Sequence, residues 1–321
     1  MRRFAAVAVG LALAGSVGAA HAQAFPDHPI TIVNPYSAGG PADLIARTVG
    51  EKVSQILGQP VVVENRPGAA TAIAASTVAQ ADPDGYTLLI AGSPTHVVTP
   101  AIQKVNYKGI EDFEPVAMVA IVPNVLVVSS KSDTKTLDDL VKKAKSGDGV
   151  VSFASVGVGS LPHLAAVFFQ QSSDATLTHI PYGGAAPAVV DVLAGNVDMA
   201  FLNAPPLMPY IEDGELIPLG VASGKRSAKL PDVPTMEEQG FQGFEMSTWY
   251  GISAPKGTPK DVVAKLDAAI KEAVTAPDVA EKLTSRGAEV FYMPSDEFAA
   301  YLAKDSERML GLIDKAGLKS N

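Results

Sequence analysis

The chain has 321 residues and carries 34 acidic against 25 basic side chains, a formal charge of −9. That balance argues against nucleic acid or an anionic membrane surface as partner. Cysteine is absent, which excludes a thiolate nucleophile, an iron–sulfur cluster and a thiolate zinc site.

Arg2 and Arg3 make a short basic start, followed by an apolar run from Phe4 to Ala20 and two small-residue sites, Ala20-His21-Ala22 and Ala22-Gln23-Ala24. These are the parts of a secretory signal peptide, expected over residues 1–22 with cleavage after Ala22 or Ala24. A membrane anchor is the weaker reading, because the run is barely long enough to span and stops at a processing site. The remaining stretch of roughly 300 residues suggests two domains.

Beyond Pro29 the pattern is strand, turn, helix, repeated. Ile30 to Asn34 is a β-branched run, broken at Gly39-Gly40-Pro41, and apolar residues then recur at helical spacing from Leu44 to Gly58. Val61 to Val63 reads as a strand, Ala70 to Ala81 as a helix and Tyr86 to Ala91 as a third strand. Asn124 to Ser129, Val151 to Ala154, Thr178 to Pro181, Val197 to Leu202 and Leu216 to Ala222 are the strands of the middle. They alternate with helices at Leu137 to Lys145, Leu164 to Gln171 and Ala185 to Leu193. Helices follow at Val262 to Val274, Pro277 to Arg286 and Asp296 to Ala316. Such alternation implies mostly parallel sheets covered by helices. Two extended stretches, Pro115 to Val127 and Thr248 to Ser253, are placed to cross between two α/β lobes.

One internal echo points to a cleft. Pro35-Tyr36-Ser37-Ala38-Gly39-Gly40-Pro41-Ala42 and Pro181-Tyr182-Gly183-Gly184-Ala185-Ala186-Pro187-Ala188 each leave a strand with Pro-Tyr, pass a Gly-Gly pair and open a helix. A helix start offers unpaired N–H groups and partial positive charge, and glycine lets an anion approach the backbone. Two such elements on facing lobes suit a molecule with a carboxylate at each end, although two ordinary strand-to-helix turns would read the same way.

The segments PDHPITIVNPYSAGGPADLIAR, GQPVVVENRPGAA, ADPDGYTLLIAGSPTH, DFEPVAMVAIVPNVLVV, HIPYGGAAPAVVDVLAGNVDMAF and LPDVPTMEEQGFQGFEMSTWYGISAPKGTP resemble the substrate-binding proteins of tripartite tricarboxylate transporters, the TctC or Bug family. The resemblance implies a two-lobed periplasmic-binding-protein fold of type II character, two mostly parallel sheets flanked by helices and joined by crossover strands. It places lobe 1 at 23–120 and 252–321 and lobe 2 at 121–251. It further implies a monomeric receptor without cofactor or metal. This receptor would pass a small carboxylate (a dicarboxylate or aromatic acid) to a membrane permease with one large and one small subunit.

Carried over position by position, the first lobe's contacts fall on Tyr36, Ser37, Ala38, Gly39 and Gly40, with Asp43 supporting the loop. They continue through Gly68 to Thr71, including Ala70, and through Ser93, Thr95 and His96. The second lobe would supply Ser155, Gly159, Ser160 and His163, then Tyr182, Gly183 and Ala186, and finally Asn203. Family members commonly carry polar residues where this chain has Val158, Leu161 and Pro162, and an acidic one at Leu202. If these positions wall the cleft, and do not lie behind it or at the surface, an acid without an amino group is expected to bind better than an amino acid.

Several residues invite other readings. Ser155 to Ser160 lacks the glycine of a nucleophile elbow and the lysine of a phosphate loop. His163 reads as a hydrogen-bonding support for that loop before it reads as a base, and His96 as either a ligand contact or structural. Arg66 reads equally well as a tie to an acidic neighbour and is left out of the site. Trp249 and Tyr250 read as packing near the hinge. A secreted hydrolase would need a nucleophile–base pair or metal triad, and the spacing suggests neither. A sensor subunit feeding a membrane kinase would use the same cleft.

Overall fold

The computed structural model describes residues 25–146 and 151–319; the expected signal peptide lies outside them. The chain first lays down β1 (Ile30–Asn34), α1 (Pro41–Leu57), β2 (Val61–Asn65), α2 (Ala72–Ala79), β3 (Thr87–Ala91), α3 (Thr99–Ile102) and β4 (Phe113–Val122). It then builds β5 (Asn124–Ser129), α4 (Leu137–Lys145), β6 (Val151–Ser155), α5 (Leu161–Ser173), β7 (Leu177–Pro181), α6 (Ala185–Ala194), β8 (Met199–Asn203), α7 (Met208–Glu212) and β9 (Leu216–Val221). It returns through β10 (Thr248–Pro255), α8 (Lys260–Thr275), α9 (Pro277–Thr284), β11 (Glu289–Pro294) and α10 (Ser295–Lys315).

Two sheets result, ordered β11-β4-β10-β3-β1-β2 and β7-β6-β8-β5-β9. Both are mixed and not mostly parallel. Pairing is parallel among β1, β2 and β3 and among β6, β7 and β8. It is antiparallel wherever a crossing or returning strand enters, as β10 does beside β3 and β4 and β5 does beside β8 and β9. A strand that arrives from the other lobe runs against the strands that left toward it, so antiparallel pairing follows from the crossing.

The first sheet is covered on one face by α1 and α8, whose Ile45, Val49, Leu266 and Ile270 pack with Ile30 and Ile32. On the other face Ala74 and Val78 of α2 pack with Val33 and Leu89. Successive strand residues thus feed opposite cores, as the pleat requires. The second lobe's core draws on more than its own elements: Val97 and Val98, just before α3, and Met309 and Ile313 of α10 join Leu161, Leu164 and Phe244 in one buried cluster. The long helix α10 therefore touches both lobes, with Phe298 and Leu302 packed on Met118 and Trp249 of the first.

Three local differences have physical causes. The extended stretch Pro115 to Val127 is two strands split at Pro123, whose missing N–H interrupts a ladder. The helix expected from Ala70 begins at Ala72, because Ala69, Ala70 and Thr71 all have positive φ. The segment from Pro94 to Val98 winds as a π-helical turn, a rare form found mostly at functional sites.

Candidate binding cleft

Strand register determines where the loops gather. Thr248, the first residue of β10, lies opposite Val122, the last of β4, and Gly251 lies opposite Ala91, the last of β3. The carboxyl ends of β1, β2 and β3 therefore sit at the crossover end of the first sheet. In the second sheet Asn124, the first residue of β5, faces Asn203, the last of β8, and β6 and β7 run parallel to β8. The carboxyl ends of all six parallel strands thus meet at the junction of the lobes, where ligands bind in open α/β sheets.

The loop after β1 is held from below. Gly39 N–H donates to Asp43 Oδ2 at 3.0 Å, while Asp43 Oδ1 accepts from Arg47 Nε and Asn65 Nδ2, each at 3.0 Å. Burial alone would raise the Asp43 carboxyl, but Arg47, the Gly39 N–H and Asn65 outweigh it and hold it below the usual range. Asn65 Nδ2 also donates to Tyr36 O at 3.0 Å. Asp43 thus shapes the loop and spends its oxygens doing so. Gly39 has φ +83 and needs glycine, whereas Gly40 has φ −81 and a Cβ there would meet only Ser37 O at 3.6 Å. Only Gly39 therefore requires glycine for its conformation. Gly40 caps α1 without a side chain and Pro41 follows at its first position, so the helix start is open.

The loop after β7 has the same design. Gly184 precedes α6 with no side-chain cap, and Gly183 and Ala186 are exposed. Tyr182 N–H donates to Ser155 O at 3.0 Å and its hydroxyl donates to Asp191 Oδ2 at 2.6 Å. Burial and then the Asp191 carboxylate push the Tyr182 hydroxyl up to about 12.

The loop after β2 is strained. Gly68, Ala69, Ala70 and Thr71 have φ of 130°, 46°, 50° and 82° in succession, at roughly 1–2 kcal/mol for each non-glycine residue. Gln103 Nε2 donates to Ala69 O at 2.8 Å and Thr99 Oγ1 to Ala70 O. Both carbonyls are turned toward α3, and Ala70 is exposed. Strain held in this way is a pointer to function. Arg66, just before it, pairs with Glu64 at 2.8 Å, the acidic-neighbour reading.

The loop after β3 is sealed. Ser93, Thr95 and His96 are all buried, and Ser93 Oγ–H donates to Asp305 Oδ2. His96 lies edge-on to Phe113 and parallel to Trp249, with Nε2 at 3.3 Å from Ser253 Oγ. Burial pulls its pKa down to about 4. The structural role weighed for His96 describes this environment.

The loop after β6 rests on two histidines. Gly159 N–H donates to His163 Nδ1 at 3.2 Å, so the loop-support reading of His163 matches the geometry. Ser160 Oγ accepts from His163 N–H and donates to Gly157 O. His163 stacks on His179 with ring centroids 4.2 Å apart, and His179 Nε2 is 2.6 Å from Ser155 Oγ. Burial, then the His179 neighbour, pulls His163 to about 4, and burial lowers His179 as well. Ser155 and His179 thus form a nucleophile–base pair that the spacing did not suggest. Ser155 is fully buried, and its Oγ is also engaged with both N–H and O of Gly157. Among the described residues no carboxylate bonds to His179, so the orienting third member of a triad is missing. Gly159 is buried against the first lobe: a Cβ would come 2.4 Å from Ile102 Cδ1.

Asn203 ties the lobes at the floor. Its Nδ2 donates to Asn124 Oδ1 at 3.0 Å and Thr248 Oγ1 at 2.9 Å, while Tyr250 O–H approaches its Oδ1 at 3.5 Å. The Tyr250 ring meets Tyr36 edge-on, with centroids 6.5 Å apart. Tyr250, read from sequence as hinge packing, therefore touches a candidate residue from each lobe.

The structure thus divides the expected residues. Tyr36, Ser37, Ala38, Gly39, Gly40, Ala70, Ser160, Tyr182, Gly183, Ala186 and Asn203 keep surface at the junction, while Asp43, Thr71, Ser93, Thr95, His96, Ser155, Gly159 and His163 are buried beneath it. Leu161 and Leu202, expected at the cleft wall, lie in the second lobe's hydrophobic cores; of the four apolar departures only Val158 is well exposed.

Two α/β lobes with mixed sheets, strand ends meeting at the junction and two chain crossings define a periplasmic-binding-protein fold. The chain aligns over 92% of its length with all of the periplasmic binding protein BugD, at 33% identity and a TM-score of 0.84. It aligns likewise with R. palustris Rpa4515 solved with adipate (31% identity, TM-score 0.86, 91% of this chain and 98% of that one). MatC from Rhodopseudomonas palustris with bound malate is similar at 32% identity and TM-score 0.81, covering 90% of this chain and all of that one. The UPF0065 protein of the tcbD-tcbE intergenic region of Pseudomonas sp. strain P51 is 40% identical over 98% of this chain and 95% of its own. The profile of the tripartite tricarboxylate transporter family receptor matches residues 45–318. The chain belongs to this TctC receptor family.

Proposed function

We propose that this protein is an extracytoplasmic receptor that captures a small organic carboxylate, a dicarboxylate or aromatic acid, between its lobes. It delivers the acid to a tripartite tricarboxylate-type permease with one large and one small subunit. The observation that carries this reading is the pair of helix starts, α1 and α6, opening without side-chain caps at glycine turns on the two sides of the junction. Each offers backbone N–H groups and the positive end of a helix dipole to an anion. Adipate in Rpa4515 and malate in MatC are acids of this class. The Ser37–Gly40 and Gly183–Ala186 turns are the carboxylate sites in this reading. In this reading lobe 1 is 23–120 with 252–321 and lobe 2 is 121–251, divisions that fall close to Pro123 and Thr248, where the chain passes between the sheets. The protein acts as a monomer in the periplasm after removal of its leader.

A thermal-shift screen against adipate, malate, succinate, benzoate and aspartate tests the reading, because a ligand that binds only the folded state raises its melting temperature by mass action. A rise with at least one acid, followed by calorimetric binding without turnover, is expected. No rise with any of these acids at millimolar concentration would refute it.

A further inference from the structure

The buried carboxylate of Asp305 has no place in the carboxylate sites above, yet it is only 3% exposed. It sits midway along α10, the helix that packs on both lobes. Three donors from three parts of the chain converge on it. Ser93 Oγ–H and Trp249 Nε1–H, the latter at 2.9 Å, share Oδ2, and Arg308 donates to Oδ1 at 2.7 Å. Ser93 opens the turn after β3, Trp249 lies on the crossover strand β10, and Arg308 also donates to Glu245 O at 2.6 Å on the segment leading into that strand. A buried ion persists only when it is paired and hydrogen-bonded; here Arg308, on α10 itself, supplies the opposite charge, and the other two contacts, Ser93 and Trp249, are to elements that shape the junction. The same end of the turn is also pressed onto β10 by its backbone, since a Cβ on Gly92 would come 2.6 Å from Trp249 O.

We propose that Asp305 is a positioning residue of the cleft, pinning the Ser93–Val98 turn to the crossover strand so that the floor under the ligand loops has one conformation. This rests on reading the junction as the carboxylate site. Asp305 touches no ligand. It acts through Ser93 and Trp249, and it couples α10 to the loop set of lobe 1. The π-helical turn it holds keeps Thr95 and His96 buried, with Thr95 Oγ1 and His96 Nδ1 lacking partners among the described residues. Tyr107 O–H on Thr95 O at 2.7 Å and Ser253 Oγ beside His96 Nε2 hold the body of this turn, and the Asp305 contact fixes its Ser93 end.

The test uses Asp305→Asn and Ser93→Ala in the full chain, with hydrogen exchange of peptides across 92–98, emission of the single tryptophan, and calorimetry with adipate and malate. Asparagine keeps the volume but loses the charge and one acceptor. Exchange across 92–98 should rise at least tenfold in both variants while β5–β8 stay protected. Tryptophan emission should shift in Asp305→Asn and stay at the wild-type wavelength in Ser93→Ala. The Kd of whichever acid binds the wild type should rise at least fivefold in both. Wild-type exchange across 92–98 in both variants overturns the proposal, and so does a loosened turn with unchanged Kd. Should Asp305→Asn fail to fold, Ser93→Ala alone decides between these outcomes. If the wild type binds neither acid, whichever acid stabilises it in the thermal-shift screen takes their place; if none does, the ligand reading has failed, and the exchange and emission results still decide the positioning role.

Discussion

Acidification should weaken this protein through its buried histidines, with His163 as the sharpest case. Its ring accepts the Gly159 N–H through Nδ1 and faces His179 at 4.2 Å, so protonation would set N–H against N–H and cation against imidazole. Its pKa is pulled from 6.5 to about 4, and burial does the same to His96. An unfolded histidine takes its proton near pH 6.5 and the folded one not until about pH 4. In that window the unfolded state binds more protons, so stability falls as pH drops from 6.5 toward 4 and levels off below. For His163 the full shift is worth ~3 kcal/mol, of which about 2 kcal/mol is lost by pH 5. His163 and His179 interact, so the shift belongs to the pair. His163→Asn keeps an acceptor near the position of Nδ1 and cannot titrate. Thermal unfolding from pH 7.5 to 5 should show the wild-type midpoint falling about 4 °C further than the variant's. Equal falls in the two proteins would refute the assignment of acid sensitivity to this ring.

The glycine turns separate strain from ligand approach. Gly39→Ala must hold φ near +83 with a side chain, costing about 1 kcal/mol in urea unfolding, whereas Gly40→Val leaves stability within about 0.5 kcal/mol. Gly40→Val should nonetheless weaken adipate or malate binding more than tenfold by calorimetry, because its side chain crowds the open start of α1; wild-type affinity would show that this turn does not hold the carboxylate. Gly159→Ala should be far more damaging, since the added methyl would lie 2.4 Å from Ile102 Cδ1 at φ +77. A loss of at least ~2 kcal/mol is expected, and a loss below half that would mean that the Ile102 side chain turns aside to admit the methyl.

Most of the scaffold was readable because its signals are local. Leu137–Lys145 starts where expected, and there Thr136 and Asp139 form a capping box that marks the start chemically. The Gly-Gly echo pointed correctly to two helix starts. Strand β11 was missed, since Glu289–Pro294 alternates weakly, is only partly buried and pairs only with β4. The Ser155–His179 and Asp305–Ser93 contacts join residues 24 and 212 positions apart, which no local pattern encodes. One sign of Asp305 was present nonetheless. Phe298, Leu302, Met309 and Ile313 form the buried stripe of α10, and Asp305 falls on that stripe at helical spacing. An acid on an apolar face calls for partners, and the sequence alone could have posed that question.

The choice among carboxylates turns on the acids around the junction. Leu161 and Leu202, expected at the cleft wall, lie in hydrophobic cores and do not select against an amino group. An ammonium group in the cleft needs a carboxylate with a free oxygen, and the acids that support the loops are committed elsewhere. Asp43 serves Gly39, Arg47 and Asn65; Asp191 serves Tyr182 and Asn196; Asp305 serves Ser93, Trp249 and Arg308. Leaving a buried ammonium with only neutral partners costs several kcal/mol, whereas an acid without an amino group incurs no such penalty. Calorimetry with succinate, adipate, benzoate and aspartate should therefore rank aspartate below the best of the other three by at least tenfold. Aspartate as the tightest ligand would mean that one of these three carboxylates releases its partner on binding. Because Asp43 alone bonds directly to a proposed carboxylate turn, through the Gly39 N–H, Asp43→Asn would then abolish the preference for aspartate, and its survival in that variant would sink this account of selectivity.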